Sequence, residues 1–220
     1  MKNVSKKLLS LLLALLGMLL IISFAVTLTL NARWLYISVM EKEELVSYTG
    51  LEREVILENY DVLIKYNSLF YSGELDFPDF PMSEGGKIHF VEVKNIFVAL
   101  QIAGCVSFAA LLAYAIFEAV KKRRDELCVL RNTGIITVAL PSVVAAFVAI
   151  DWDSAFVIFH KIFFRNDLWL FDYDTDPIIW ILPDEYFLAC AVMIICIAAF
   201  LSSVCLASHF LWVKKKRAKA

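Results

Sequence analysis

The sequence has no glycine-rich loop to cradle a phosphate, no Gly-x-Ser-x-Gly elbow and no His-Glu-x-x-His pair. Nucleotide-cradling, serine-hydrolase and zinc-hydrolase designs are excluded with them. Cysteine is missing where it would matter most. Cys105, Cys190, Cys196 and Cys205 lie inside apolar runs and Cys128 in a short basic connection, so the two long polar connections hold none, and no Cys-x-x-Cys pair occurs. That excludes a disulfide framework in those connections and dithiol redox chemistry. Nor does a cysteine close the first apolar run, where a lipid-attachment site would stand. The later runs lack ionisable groups at mid-depth, with Gln101 as the main polar exception, which argues against a transport pathway.

What the sequence has in excess is apolar length. Of its 220 residues, 60% are hydrophobic, where a soluble domain usually has about 45–50%. The excess is gathered in four stretches without a formal charge, Leu8 to Leu30, Ile96 to Phe117, Thr133 to Ile150 and Tyr186 to Val213. A helix needs roughly 20 such residues to cross a hydrocarbon layer about 30 Å thick, and each stretch meets or nearly meets that length. The first begins on Lys2, Lys6 and Lys7, as a signal peptide would. It exceeds the ~7–15 apolar residues of a cleavable signal and is read as a retained span. The third is short and holds Gly134 and Pro141, so a kink or a late start is expected there.

Charge is distributed by connection. Basic residues flank the runs at Lys2, Lys6 and Lys7, at Lys121, Lys122, Arg123, Arg124 and Arg131, and at Lys214, Lys215, Lys216, Arg217 and Lys219. The other two connections are acidic: residues 33–94 carry 12 Asp and Glu against 6 Lys and Arg, and residues 151–183 carry 6 against 2. Basic flanks stay in the cytoplasm, so both termini and the 121–131 connection are expected inside and the acidic connections outside. The C-terminal basic cluster reads as a membrane stop signal, not a nucleic-acid patch. The expected architecture is an all-α integral membrane protein, a single membrane domain over residues 1–220. Its transmembrane helices fall at about 8–30, 95–120, 133–150 and 185–213, with amphipathic or interfacial helices in two extracytoplasmic segments, 31–94 and 151–184.

The first outer segment opens on an aromatic belt, Arg33-Trp34-Leu35-Tyr36. From Glu52 to Tyr71 apolar residues recur at helical spacing. Val55, Ile56, Tyr60, Leu63, Ile64, Asn67 and Phe70 share a face that lies on the bilayer or on a protein core. Phe77-Pro78-Asp79-Phe80-Pro81 forces an extended stretch. Ser83-Glu84-Gly85-Gly86 reads as a turn, and a helix from about Lys87 runs on into the second span. In the second outer segment Asp153 or Ser154 caps a short helix through Phe164, too apolar for a free loop, and Asp176-Pro177 reads as a cap with proline in the first helical position.

Only three histidines occur. His209 stands near the inner end of the fourth run, where an interfacial role is expected. His89 and His160 fall in the two outer segments, each at the edge of apolar sequence. On a helix His89 and Glu92 share a face, so the carboxylate can hold the imidazole in one tautomer and raise its pKa; a solvated histidine with ordinary helix-end charges is the plain alternative. His160, among Phe159, Ile162 and Phe163, is either a packed core histidine or a functional one. Tyr60, Tyr66 and Asn67 are spaced along one side of their helix, as packing residues or as donors. Asp172, Asp174 and Asp176 suit caps and turns better than a divalent cation, since the glycine and distal glutamate of a calcium loop are missing. Two histidines and a carboxylate give no third zinc ligand, and neither metal nor cofactor is expected.

Two blocks carry a family resemblance. The first is Gly73-Glu74-Leu75, Phe77-Pro78, and then Met82-Ser83-Glu84-Gly85-Gly86-Lys87-Ile88-His89-Phe90-Val91-Glu92-Val93-Lys94 with Phe97. The second is Phe159-His160, Phe163-Phe164, Asn166, Trp169, Asp176-Pro177-Ile178-Ile179, Leu182-Pro183 and Phe187. Both, in this order and with four apolar runs, resemble the lipoprotein intramolecular transacylases of Gram-positive bacteria over nearly the whole chain. The family usually shows Asp where this chain has Glu92, which leaves a carboxylate in place. The resemblance implies an acyltransferase that moves the sn-2 acyl chain of an S-diacylglyceryl group to the α-amine of the lipoprotein's N-terminal cysteine, giving the lyso-form. It implies His89 as acid–base with His160 orienting or stabilising charge, the reverse assignment or an acyl-histidine remaining open. Glu92, Lys94, Tyr66, Asn67, Asn166 and Trp169 are the substrate-binding or supporting residues, with a second histidine, Lys94, Tyr66 or Asn67 as oxyanion donor. The partners implied are a diacylglyceryl-modified lipoprotein in the outer leaflet and membrane lipids, with no nucleic acid. A non-enzymatic membrane subunit that binds lipid or lipopeptide is the rival.

Overall fold

The computed structural model describes residues 2–121 and 128–218. Lys122, Arg123, Arg124 and Lys219 of the basic flanks lie outside the described residues. The described chain is helical: α1 (Lys2–Leu30), α2 (Arg33–Lys42), α3 (Leu45–Thr49), α4 (Arg53–Tyr66), α5 (Glu84–Val120), α6 (Cys128–Ile150), α7 (Trp152–Phe163), a 3-10 turn at Pro177–Ile181, and α8 (Asp184–Arg217). Four of these helices are long and apolar enough to cross a membrane, α1 from Ser5 onward, α5, α6 and α8. Between 11% and 33% of each apolar stretch is buried inside the protein. So much outward-facing apolar surface is not stable in water, and the chain is a multi-pass membrane protein.

The spans start earlier than their uncharged cores. α5 begins at Glu84 because Ser83 caps it, its hydroxyl accepting the N–H of Gly86 at 2.9 Å. The Ser83–Gly86 turn is therefore the cap and first turn of α5. Gly86 has no room for a side chain, since a Cβ there would meet the Asp176 carboxylate. α6 begins at Cys128 and keeps Pro141 inside it, so the late start does not occur.

The chain divides into two compact units, one comprising Met1–Val26, Gln101–Ala146 and Met193–Ala220, the other Thr27–Leu100 and Phe147–Val192. The first unit packs its helices through small residues. A Cβ on Gly17 would lie 2.6 Å from Thr133 Oγ1, one on Gly104 2.8 Å from Ser23 Cβ, and one on Gly134 2.9 Å from the Ser202 carbonyl.

The second unit has a core of large side chains. Tyr36, Ile56, Tyr60, Ile178 and Ile181 are almost wholly buried. Tyr36 and Tyr60 stack with centroids 3.7 Å apart, and Tyr186 meets both edge-on. Tyr36 donates to the Ile181 carbonyl at 2.8 Å, and the Tyr60 and Tyr186 hydroxyls bond each other at 2.9 Å. Burial pushes the Tyr60 phenol up to about 12. The belt expected at residues 33–36 is thus divided: Trp34 is exposed, but Tyr36 is at the centre of the core, on a helix of its own. α4 lies on this protein core through Ile56, Leu57, Tyr60, Leu63 and Tyr66. Phe70 does not share its face, because α4 ends at Tyr66 and Phe70 is 93% exposed.

Candidate active site

His89 stands on the second turn of α5 and His160 near the end of α7. The N-cap of α7 is Asp151, two or three residues ahead of those expected to cap it, and its carboxylate accepts from the Ser154 N–H at 3.1 Å. Starting there, the helix turns Ala155 and His160 inward and leaves Ile158, Phe159, Ile162 and Phe163 exposed. Such a split between faces suits a helix lying at an apolar boundary.

The two inward rings meet. The His89 and His160 centroids are 6.1 Å apart with planes 30° from parallel, and the residues are 5% and 9% exposed. Aromatic side chains close around the pair. Phe164 and Phe171 lie 4.7 and 5.3 Å from His89, while Phe156 and Trp169 lie 4.2 and 4.6 Å from His160, Trp169 stacking on its ring.

The two imidazoles are held differently. His160 Nδ1 lies 2.7 Å from the Phe156 carbonyl oxygen. A carbonyl only accepts, so Nδ1 carries the hydrogen and the neutral ring presents its lone pair at Nε2. Burial, the largest influence, lowers the His160 pKa from 6.5, and the Phe156 carbonyl and Asp184 partly oppose that shift. The ring is therefore neutral at pH 7, as a base must be. His89 Nδ1 is buried without a hydrogen-bond partner among the described residues. Leaving a buried polar group unpaired costs about 1–3 kcal/mol, a cost that any partner reaching Nδ1 would remove.

Glu92 does not orient His89 as its spacing suggests. Its carboxylate oxygens accept from the Asn166 amide at 2.9 and 3.2 Å. Asn166 Oδ1 accepts the Leu168 N–H at 3.1 Å, so the pair fixes the turn that carries Trp169. Lys94 is also committed elsewhere. Its ammonium donates to the Tyr71 carbonyl at 2.9 Å and sits 4.1 Å from the Tyr66 ring centroid, so Lys94 and Tyr66 form a cluster of their own. Asn67 donates to the Leu63 carbonyl at 2.9 Å.

The acidic run behaves as turns and ties. Asp172 accepts from the Asp174 N–H. Asp176 does not cap its own 3-10 turn; it accepts the Ser83 N–H at 2.8 Å, binding the start of α5 to the connection between α7 and α8. Among the described residues no group of three or more His, Cys, Asp or Glu side chains is placed to hold a metal ion. Sequence reasoning missed Phe156 and Phe171 as walls of the site. Phe171 lies in an irregular stretch with no period to read, and Phe156 announces itself only through its i, i+4 spacing to His160.

A buried histidine pair in an aromatic box at the ends of apolar helices narrows the reaction class, and comparison with known proteins names it. The family model described as lipoprotein intramolecular transacylase Lit matches residues 11–187. The chain belongs to that family. It is an acyltransferase acting on lipoproteins in a membrane. The solved structure of the membrane-integral lipoprotein intramolecular transacylase Lit from Bacillus cereus is 33% identical, with 98% of this chain and 99% of that chain covered and a TM-score of 0.91. Two structures of the Bacillus cereus protein with one histidine replaced, by arginine or by alanine, are each 32% identical. They cover 100% and 99% of this chain and 96% and 97% of theirs, with TM-scores of 0.85 and 0.84. No curated protein sequence matches the chain.

Proposed function

We propose that the enzyme moves the sn-2 acyl chain of an S-diacylglyceryl group to the α-amine of the same lipoprotein's N-terminal cysteine, with His160 as acid–base and His89 as its partner on the substrate. The observation that carries this reading is the buried pair of rings 6.1 Å apart, one with a fixed lone pair and the other with an unpaired nitrogen. Roles are exchanged relative to the assignment first drawn from the resemblance, because only His160 has its tautomer set by a carbonyl.

The chemistry is ester aminolysis. An α-amine has a pKa near 8, so a useful fraction is uncharged at neutral pH. Its nitrogen attacks the ester carbonyl carbon, a C–N bond forms and His160 Nε2 takes the amine proton. The C–O bond to glycerol then breaks and the same nitrogen returns the proton to the departing oxygen. Ester and amine become amide and alcohol, with no other reactant. Acid–base help of this kind is worth roughly 10²–10⁴ in rate. Attack within one molecule avoids gathering two reactants, worth up to ~7–11 kcal/mol in good geometry. Glu92 and Asn166 position the Trp169 turn against His160, and Lys94, Tyr66 and Asn67 support the fold beside it.

The site faces the outer leaflet in this proposal. Lys6, Lys7, Arg131 and Lys214–Arg217 keep both termini and the α5–α6 connection cytoplasmic, which leaves residues 31–94 and 151–184 on the other side with the diacylglyceryl anchor. Expression in a host that does not N-acylate its lipoproteins, with mass analysis of their N-termini, tests the reading. Lyso-form product is expected with the native chain and none with His89→Gln or His160→Gln. Undiminished product from both variants would overturn it.

A further inference from the structure

Proton transfer accounts for the amine and the leaving oxygen but not for the negative charge that builds on the ester carbonyl oxygen during attack. That oxygen needs a donor aimed at it in advance. The ammonium of Lys94 is held at the Tyr71 carbonyl and over the Tyr66 ring, one N–H of the Asn67 amide bonds Leu63, and His160 Nδ1 bonds Phe156.

Three ring nitrogens of the second unit are buried without a hydrogen-bond partner among the described residues: His89 Nδ1, Trp152 Nε1 and Trp169 Nε1. They differ in chemistry and in place. An imidazole nitrogen is donor or acceptor according to tautomer, whereas an indole N–H is a donor at every working pH. Trp152 touches Phe156 but neither histidine, while Trp169 stacks on His160 at 4.6 Å with planes 27° apart. Trp169 is itself 9% exposed, so its N–H is shielded from bulk solvent.

Its position is also fixed before substrate arrives. Asn166 bonds both Glu92 oxygens, the Leu168 N–H returns to Asn166, and the Leu170 N–H bonds the Asp167 carbonyl at 3.1 Å. A donor held by that frame need not reorganise as charge develops.

We infer that the indole N–H of Trp169 is the oxyanion donor of the acyl transfer, hydrogen-bonding the ester carbonyl oxygen as it becomes tetrahedral. The inference rests on the proposed roles of His89 and His160. It adds a catalytic residue that moves no proton: the N–H bond stays intact throughout.

The test keeps the ring and removes the hydrogen. Trp169→Phe retains an aromatic stack, and a 3-benzothienylalanine placed at position 169 retains the bicyclic shape with sulfur in place of N–H. The full-length enzyme, purified in detergent, converts a synthetic diacylglyceryl lipopeptide. A fall in kcat of about 10²–10³ in the benzothienyl variant is expected, with KM within about twofold of native, pH midpoints within about 0.3 unit and Tm unchanged; one oxyanion donor is typically worth that much. Native kcat in the benzothienyl variant overturns the inference, even if Trp169→Phe is inactive or unfolded, because packing alone then explains the tryptophan. A raised KM with native kcat overturns it too, since the bond would form equally in the ground state. His160→Gln, run in parallel, separates the layers. If it is inactive while the benzothienyl variant is native-like, only the donor assignment fails; if it is fully active, the histidine mechanism itself fails.

Discussion

The two units of this protein are built from opposite ends of the side-chain size scale. In the first, Gly17, Gly104 and Gly134 meet Thr133, Ser23 and Leu206, and several buried polar atoms are small hydroxyls such as Ser202, which donates to its own helix at the Ala198 carbonyl. In the second, tyrosines, phenylalanines and a tryptophan fill the interior, and hydrogen bonds link residues far apart in sequence. The contrast follows from solvent. Helices in hydrocarbon gain nothing by burying more hydrocarbon, so they associate by close backbone approach, which small residues permit. A region with aqueous borders gains from burying aromatic area, and the same rings make a dry enclosure in which a neutral imidazole persists.

The largest effect expected on either side of that contrast is chemical and confined to the second unit. His160→Ala should lower the rate by about 10²–10⁴ while the thermal unfolding midpoint changes little, read by mass spectrometry of lipopeptide beside a melting curve. An unfolding loss that matches the activity loss would place His160 in the packing, not the chemistry. The native pH profile sharpens the same point. The substrate amine and His160 must both be neutral to react, so the rate should fall about tenfold per unit below the amine's pKa of about 8. Burial lowers the His160 pKa below 6.5, so the fall should steepen to about a hundredfold per unit only once that lowered value is crossed.

Next comes the core of the second unit. Tyr60→Ala removes a stacked ring and the partner of the Tyr186 hydroxyl, and should cost about 3–5 kcal/mol, as large aromatic truncations do. Tyr60→Phe should cost about 1–2 kcal/mol, by removing one hydrogen bond of the buried Tyr186 hydroxyl. Equal losses for the two would mean that the hydroxyl pair, and not the rings, holds this core.

A smaller loss is expected from the first unit, in the opposite direction of size. Gly134→Ala places a methyl 2.9 Å from the Ser202 carbonyl, backbone that cannot swing away, and should cost about 1–3 kcal/mol by overpacking. Gly17→Ala meets only the Thr133 side chain and should cost less. Stabilisation by either would remove close approach as the principle of that unit. Smallest of all is the surface. Arg33 and Asp61 pair at 2.8 Å with both side chains about half exposed, and Asp61→Asn should change stability by no more than about 0.2–1 kcal/mol, less at high salt.

The long helices, the spans and the family were legible because length, apolar composition and motif order are properties of a string, whereas α2 and α3 were not read as helices. The histidine pair was legible as two candidates, each at the end of an apolar stretch. Its surroundings were not. The spacing of His89 and Glu92 showed only that both share a helix face; it gave no sign that Asn166, 74 positions away, would capture the carboxylate. Tyr36 has the composition of a membrane belt, and the same amphipathic ring serves equally well in a core. Asp176 has the signature of a cap, yet its oxygen finds a better donor at Ser83.

Crossing a bilayer is decided residue by residue, through transfer of each side chain from water, so the order of amino acids was enough to place four spans. The meeting of two imidazoles, the lone pair left on one of them and the tryptophan laid against it depend on which distant stretches come together. Short-range spacing constrains only neighbours on one element; pairing between elements is chosen by the competition of every donor and acceptor once the chain has closed.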